Sequence, residues 1–480
     1  MTRCYPISIL LLGLALVAGP ATFPASAATL TVNTDQDTDS NDGFCSLREA
    51  ITAANDDMPY RDCPTGTGAD RIAFDLVLPA TIQLTDHLPA ITGHLRISGP
   101  GSELLALDGA TNFRPIRQED PLADGWLAVE DLTLTNGYTS PDLDSGGGAY
   151  IDSGETAIFR RVHFLANHSE NGGGGLFVHR STVSIQDCLF ESNVAEGPAG
   201  GGGIGASNGS GQLSIVGSTL FDNSAAHENG TGGAIKTSIG TLIIKASTFS
   251  ENEANSYGGA IFILSTPNGE AALVLLDSTL ANNTSAAALG VGHGGGLSLF
   301  PGLAFPVTVT LQNSVIADNF DLSTSGALAP DISCVTTPPN LVASGWNFIG
   351  SNDSCEAFFP EGSPNSEGDY AGTSATPLNP LLQSLAFHGG ETPVLRPSLN
   401  PLSPLVDQGG CPDAITDQRG RGNLATGRRP EDRPNIPNPG GDACDIGAFE
   451  WFTNSNSDPL IFADGFESGN TLLWSTEVLP

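Results

Sequence analysis

Hydrophobic and polar positions alternate in short segments between about Gly146 and Asn319, and one arrangement of them recurs six times. Each copy has a glycine cluster, a short apolar segment with a period of two, and then an apolar residue three places before an asparagine. The asparagines are Asn167, Asn193, Asn223, Asn252, Asn283 and Asn319. A repeat of roughly 30 residues predicts similar units stacked in a solenoid.

The apolar residues within one copy predict two short strands that meet at a bend. In the second copy Val183 and Ile185 share one parity, whereas Cys188 and Phe190 keep the period of two with the parity shifted by one residue. The shift places a bend at one column, which holds Arg161, Asp187, Gly217, Ala246, Asp277 and Asn313. Short strands separated by corners predict an all-β fold, a right-handed parallel β-helix, whose hand follows the general bias of parallel crossovers.

The asparagine column has a physical reason in such a fold. A tight turn inside a stacked coil leaves backbone N–H and C=O groups without a strand partner, and each buried orphan costs about 1–3 kcal/mol. Asparagine offers both a donor and an acceptor and tolerates left-handed backbone geometry. We therefore expect the six asparagines to form a structural ladder from coil to coil.

Two short motifs alternate along the repeat. GGAI occupies Gly232–Ile235 and Gly258–Ile261, and the segments FESN and FSEN end at Asn193 and Asn252. This pattern resembles the GGAI/FxxN repeat of the polymorphic outer-membrane protein family of surface adhesins. The resemblance implies a β-helix of the pectin-lyase-like type and a role at the cell surface.

The N-terminal part predicts an export signal followed by a cap. Residues 1–27 combine a basic start, a short apolar stretch and an A-x-A site, so we expect a signal peptide cleaved between Ala27 and Ala28. Ser46 and Glu49 have the spacing of a capping box and predict a short helix from Leu47. The letters CSLREA resemble the signature of the CSLREA domain, which implies an N-terminal cap over residues 28–69, before β-helix repeats over residues 70–357.

The C-terminal part differs in composition. Residues 376–452 are rich in Pro, Arg and Asp, and they contain DQRGR from Asp417 and CDIGAFEW from Cys444. These motifs resemble the choice-of-anchor Q domain, which implies an irregular C-terminal cap. We expect Arg419 and Arg421 to pair with Asp417, Asp445 or Glu450. Residues 453–480 form a tail that is a candidate sorting or attachment signal.

Charge and cysteine content restrict the partners and the compartment. The formal net charge is −35 with only 18 basic residues, which argues against nucleic acid and anionic lipid as partners. No integral membrane span is expected in the mature chain, and a monomer is expected. The predicted export permits disulfides, and local spacing suggests the pairs Cys45–Cys63, Cys334–Cys355 and Cys411–Cys444. Cys188 is left over, and its column predicts a small buried side chain.

An acidic run in the cap suggests one metal hypothesis. Asp37, Asp39 and Asn41 alternate as at the start of a calcium loop, although Gly43 and Glu49 each come one residue later than the EF-hand pattern requires. A solvated turn is the alternative. No cofactor is required by the sequence, and Ca²⁺ is the one ion it suggests.

Stacking also creates one candidate for chemistry. Asp222 and Glu251 each precede a ladder asparagine, so on adjacent coils they should stand about 4.7–4.9 Å apart, which suits a retaining glycosidase or a calcium site. Turn acids are more often solvated, so we expect no catalysis by this pair. We expect instead a secreted or cell-surface protein with a structural and adhesive role towards a glycan or surface protein. The alternative is a polysaccharide lyase or glycoside hydrolase with an acidic groove on one coil face. A third hypothesis is a calcium-stiffened matrix component without a ligand.

Overall fold

The computed structural model of the chain is a parallel β-helix with one short helix at its N-terminal end. It describes residues 28–120, 125–140, 145–152, 154–265, 271–285, 293–300, 307–324, 328–334, 340–343, 345–410, 416–420 and 444–451. Strands of successive coils pair in parallel and in register, as Val183 does with Leu213 and Leu213 with Leu242. The predicted β-helix is confirmed.

Each full coil passes through four faces, which we call A to D in the order in which the chain reaches them. Face A consists of Ile116–Gln118, Ala149–Ile151, Leu176–His179, the first parts of Ile204–Val216 and Ile235–Lys245, Ile261–Leu264, Leu297–Phe300 and Ile332–Cys334. Face B consists of Thr29–Val32, Ala69–Phe74, His94–Ser98, the first parts of Trp126–Thr135 and Thr156–Leu165, Thr182–Gln186, the last parts of Ile204–Val216 and Ile235–Lys245, Ala271–Leu276, Val307–Gln312 and Asn340–Ala343.

Faces C and D complete the coil. Face C consists of Ala80–Gln83, Leu105–Asp108, the last parts of Trp126–Thr135 and Thr156–Leu165, Leu189–Glu191, Thr219–Phe221, Thr248–Ser250, Thr279–Ala281, Val315–Ala317, Phe348–Ile349 and Tyr370–Ala371. Face D is a seven-stranded sheet of two-residue strands, Tyr138–Thr139, His168–Ser169, Val194–Ala195, Ser224–Ala225, Glu253–Ala254, Thr284–Ser285 and Phe320–Asp321.

The bend between faces B and C falls where the parity shift predicts it. Each residue of the column Arg161, Asp187, Gly217, Ala246, Asp277 and Asn313 has a positive φ, between 47° and 64°. A left-handed residue turns the chain sharply, so the apolar residues on both sides of the bend point inward. Phe164 and Phe190 stack in adjacent coils with ring centroids 4.2 Å apart, and both are fully buried.

A short helix covers the N-terminal end of the solenoid. It runs from Leu47 to Asp56, and the Ser46 side chain accepts from the backbone N–H of Glu49 while the Glu49 carboxylate accepts from the backbone N–H of Ser46. Leu47 and Ile51 are fully buried in the same core cluster as the first strand of face B. No helix within the described residues is long and apolar enough to cross a membrane.

The C-terminal segment, residues 376–410, 416–420 and 444–451, lies along the side of the solenoid against face C. Thr219, Thr248 and Thr279 are in register on the outer surface of this face. Gln418 Nε2 donates to Thr219 Oγ1 at 2.7 Å, and Gln418 Oε1 accepts from Thr248 Oγ1 at 2.5 Å. The Thr279 hydroxyl accepts from the backbone N–H of Ala448 at 3.1 Å. The segment therefore runs back across several coils.

Candidate functional site

The six predicted ladder asparagines lie in one hydrogen-bonded column at the corner between faces C and D. Asn252 Nδ2 donates to the carbonyl O of Leu220 at 2.9 Å and to Asn283 Oδ1 at 2.8 Å. Asn252 Oδ1 accepts from the backbone N and the Nδ2 of Asn223, at 3.1 and 2.9 Å. The same bonds recur from Asn167 to Asn319. The column pairs the turn's backbone groups and leaves its amides no capacity for a ligand.

A second ladder, made of hydroxyl groups, runs along the corner between faces B and C. The backbone N–H groups of Cys188, Ser218, Ser247 and Ser278 donate to the next Ser Oγ at 3.1–3.3 Å. The serine hydroxyls in turn donate to the carbonyl two residues earlier, as Ser218 does to Val216 at 2.9 Å. Cys188 begins this ladder, because its Sγ accepts from the backbone N–H of Val162 at 3.5 Å. The sequence revealed the small inward column but not its bonding.

Each ladder ends on a buried aspartate. Asn319 donates to Asp331. The hydroxyl ladder continues from Ser314, whose backbone N–H donates to Asn347 Oδ1 at 3.2 Å. Asn347 donates from its backbone N and its Nδ2 to Asp369 Oδ1, both at 2.9 Å. Burial raises the pKa of Asp331 to about 7 and also raises the pKa of Asp369. Neither residue follows the repeat's asparagine or serine pattern, so sequence periodicity does not find them.

The two candidate catalytic acids, Asp222 and Glu251, are exposed turn residues on adjacent coils. Both have positive φ, 54° and 58°, because they form the left-handed turn before the ladder asparagine. Asp222 accepts a hydrogen bond from Ser192 Oγ at 2.7 Å. Glu251, in contrast, lines a groove of about 290 Å³ beside face C. Of the two acids, the structure therefore places only Glu251 in the lining of this groove.

We call this space the face C groove, and it lies between the solenoid and the C-terminal segment. It is lined by Leu189, Glu191, Phe221, Glu251, Ser384, Leu385, Ala386, Phe387 and Pro393. Phe387 is 61% exposed, so an apolar wall is open to solvent on one side. The groove thus combines aromatic and aliphatic walls with two carboxylates.

The electrostatics of Glu191 favour binding over acid catalysis. His163 Nε2 lies 3.0 Å from Glu191 Oε2, and this contact lowers the pKa of Glu191. A glycosidase needs one carboxyl group with a raised pKa as its general acid. Glu191 and Glu251 also lie two strands apart, so their backbones are separated by roughly 9.6 Å along the stack, whereas the carboxyl groups of a retaining enzyme are about 5–5.5 Å apart.

The two carboxylates among the candidate calcium residues of the cap are each paired with an arginine. Asp37 forms a bidentate pair with Arg48 at 3.0 and 2.7 Å and also accepts from the backbone N–H of Thr85. Asp39 pairs with Arg61 at 2.8 Å, and this contact lowers the pKa of Asp39. Asn41 is exposed. A cation would have to displace two ion pairs, and calcium binding there stays a prediction.

A different acidic group lies in the C-terminal segment. Oxygen atoms of Asp407, Asp445 and Glu450, all buried, lie within 4.8 Å of one another, a geometry that could hold a metal ion. Backbone N–H groups solvate these carboxylates: Asp445 accepts from Asp407 and Trp451 at 2.9 and 2.8 Å, and Glu450 accepts from Asp445 at 3.0 Å.

Of the three predicted partners of Arg419, Asp417 forms the ion pair, with Nε 2.8 Å from Oδ2. Arg421 lies outside the described residues.

Two of the three predicted disulfides are present. Cys45 bonds to Cys63 and Cys334 bonds to Cys355. Cys411 lies outside the described residues, so its predicted pairing with Cys444 stays a prediction. Cys188 is a buried free thiol. The predicted signal peptide, with Ala27, and the predicted tail also lie outside the described residues.

Comparisons with known proteins give one weak similarity. Over 151 residues the chain is 29% identical to the "Probable autotransporter YfaL" of Escherichia coli (strain K12), a match that covers 29% of this chain and 11% of that protein. No family model matches the chain, and no solved structure matches it. The similarity and the fold together are consistent with an exported β-helix protein of the cell surface.

Proposed function

We propose that the chain is an exported, monomeric surface protein with a structural and adhesive role, and that the face C groove is its binding subsite for a glycan or a surface protein. The observation that carries the proposal is the ionised Glu191 beside His163 in a groove with aromatic walls. A carboxylate held in its charged form accepts hydrogen bonds from a ligand and attracts cationic groups, but it does not protonate a leaving group.

The two ladders support a role on the outer surface. Their inward polar side chains bond to neighbouring coils, so the inside of the solenoid is committed to structure. Groups that recognise a partner must then lie on the outer faces. Aromatic rings next to carboxylates provide contact area and orientation at such a subsite.

The test is a binding and activity screen of the purified full chain against acidic and neutral polysaccharides and surface proteins. Both retained protein and new reducing or unsaturated ends are measured. We expect retention without product, and we expect Phe221→Ala and Glu251→Gln to weaken it at least tenfold. Asp222→Asn is the matched control, because Asp222 is an exposed acid of the same corner but not of the groove lining.

Two results would contradict the proposal. Product formation that Glu251→Gln abolishes would establish the alternative, a polysaccharide lyase or glycoside hydrolase. Retention that is equally strong in Phe221→Ala and in Asp222→Asn would place the binding surface elsewhere on the solenoid.

A further inference from the structure

Oxygen atoms from three successive coils surround Gly125 at the corner between faces A and B. The carbonyl O of Gly93 and Asp120 Oδ2 each lie 3.0 Å from the point where a side chain on Gly125 would place its first carbon atom. Glu155 Oε2 lies 3.4 Å from the same point. Since glycine has no side chain, two carboxylates and one carbonyl converge on the open space beside its Cα atom, and we call this space the cradle.

A buried amide next to the cradle supplies a second, independent observation. Gln118 is fully buried, and its Nε2 donates to Glu155 Oε2 at 2.9 Å. Its Oε1 has no hydrogen-bond partner among the described residues. A buried amide oxygen left without a donor costs about 1–3 kcal/mol. Nε2 of the same amide bonds to Glu155, so a cation bound by that carboxylate would lie within reach of Oε1 and could satisfy it.

The position in the stack explains what a cation would do. Gly93, Gly125 and Glu155 each directly precede a face B strand, and those three strands pair in parallel. Glu155 also accepts from the backbone N–H of Asp120 at 2.9 Å, which draws the connection from face A into the same corner. An ion in the cradle would therefore bind three coils to one another.

We propose that this corner is a calcium site formed by Asp120, Glu155, the carbonyl O of Gly93 and the Oε1 of Gln118. Calcium takes six to eight oxygen ligands in flexible geometry, and two carboxylates with two neutral oxygens suit it, with water completing the shell. The all-oxygen donor set does not suit zinc or copper. The ion stiffens the N-terminal coils, in a place that the acidic run of the cap does not include.

The experiment uses the full chain with CaCl₂ and with Tb³⁺ as a luminescent substitute. Trp126 follows Gly125 and stacks on His94 with ring centroids 5.8 Å apart, so it is placed to transfer energy to a bound Tb³⁺. We expect one Ca²⁺ per chain by calorimetry, a higher thermal midpoint with Ca²⁺ than with EDTA, and Tb³⁺ emission on excitation of tryptophan. Trp126→Phe should remove most of the emission and leave the Ca²⁺ affinity unchanged.

Three variants separate the site from general acidity. Gly125→Ala fills the cradle, and Asp120→Asn removes a ligand charge, so each should weaken Ca²⁺ at least tenfold while the circular dichroism spectrum stays that of the wild type. Asp37→Asn, in the acidic run of the cap, should bind as the wild type does. Undiminished binding in Gly125→Ala, loss of binding in Asp37→Asn, or no binding by the wild type would each overturn the site. None of these results depends on the face C groove.

Discussion

Asn319 donates both its backbone N–H and its Nδ2 to Oδ1 of Asp331, at 3.0 and 2.9 Å, so the asparagine ladder ends on a carboxylate. The other oxygen of Asp331 accepts from the backbone N–H of Ser351 at 2.7 Å. These bonds favour the charged form of the carboxyl group, but its burial opposes them more strongly. The net effect raises the pKa of Asp331 to about 7.

The raised pKa makes the stability of the fold depend on pH. Between about pH 4 and pH 7 the folded chain retains a proton on Asp331 that the unfolded chain releases, so the free energy of unfolding falls as the pH rises. The loss approaches roughly 4 kcal/mol over this interval if Asp331 acts alone. Denaturant unfolding of the wild type and Asp331→Asn at pH 4.5 and 7.5 measures it. The variant should show a flatter profile, and Asp222→Asn should not; identical profiles for all three would refute the assignment.

The middle of the asparagine ladder should be sensitive to truncation. Asn252→Ala leaves the Leu220 carbonyl and two donors of Asn223 without their partner, so we expect a loss of at least about 3 kcal/mol in unfolding free energy. The strand signal in far-UV circular dichroism should remain. Asn229→Ala is the control, because Asn229 is exposed outside the ladder. An unchanged melting curve for Asn252→Ala would show that the ladder contributes nothing to stability.

The repeat made much of the fold predictable. Strand periodicity and the parity shift at Asp187 indicate the bend correctly because burial of one strand face imposes a period of two on the sequence. The inward serine column was also visible. The hydrogen bonds of this column could not be predicted, because a small buried residue such as Ser247 is equally expected from packing alone. Only the register of the coils shows which backbone N–H donates to its hydroxyl.

The groove was less predictable than the solenoid. Glu251 was a candidate because it precedes a ladder asparagine, but its groove partners include Phe387, far along the chain in an irregular segment. No periodic pattern relates such a segment to a coil face. The sequence therefore paired Glu251 with Asp222 by stacking distance, whereas the structure places Glu191 and not Asp222 in the lining.

Cys188 should behave as a member of the hydroxyl ladder. Burial raises the pKa of its thiol to about 12, so little thiolate forms at pH 8 and a bulky thiol reagent should label it only after denaturation. Cys188→Ser should change the free energy of unfolding by no more than about 1 kcal/mol, because a hydroxyl continues the ladder. Cys188→Ala should lower it by about 1–3 kcal/mol, because the Val162 N–H is left without an acceptor. Rapid labelling of the native chain, or equal stability of the two variants, would contradict this role.

The attachment of the C-terminal segment to face C should weaken as the pH rises. Thr392 Oγ1 in the C-terminal segment donates to the Gly217 carbonyl at 3.0 Å. A side chain added at Gly217 would meet Asp187 Oδ1, so Asp187 lies beside the residue to which the segment is attached. Burial, and then the charge of Glu391, raise the pKa of Asp187 to about 6. The attached state thus holds a proton that the detached state releases, and attachment is strongest below about pH 4 and weakens as the pH rises through about 6.

Hydrogen exchange of the peptide around Thr392 measures this attachment at pH 4.5 and 7.5, after correction for the intrinsic exchange rate. The wild type should lose protection at the higher pH, and Asp187→Asn should retain it because no charge forms at that position. Glu391→Gln should move the transition to lower pH, since it removes one of the two causes of the raised pKa. Protection that is independent of pH in the wild type would mean that the contacts of Gln418 with Thr219 and Thr248 hold the segment without any contribution from Asp187.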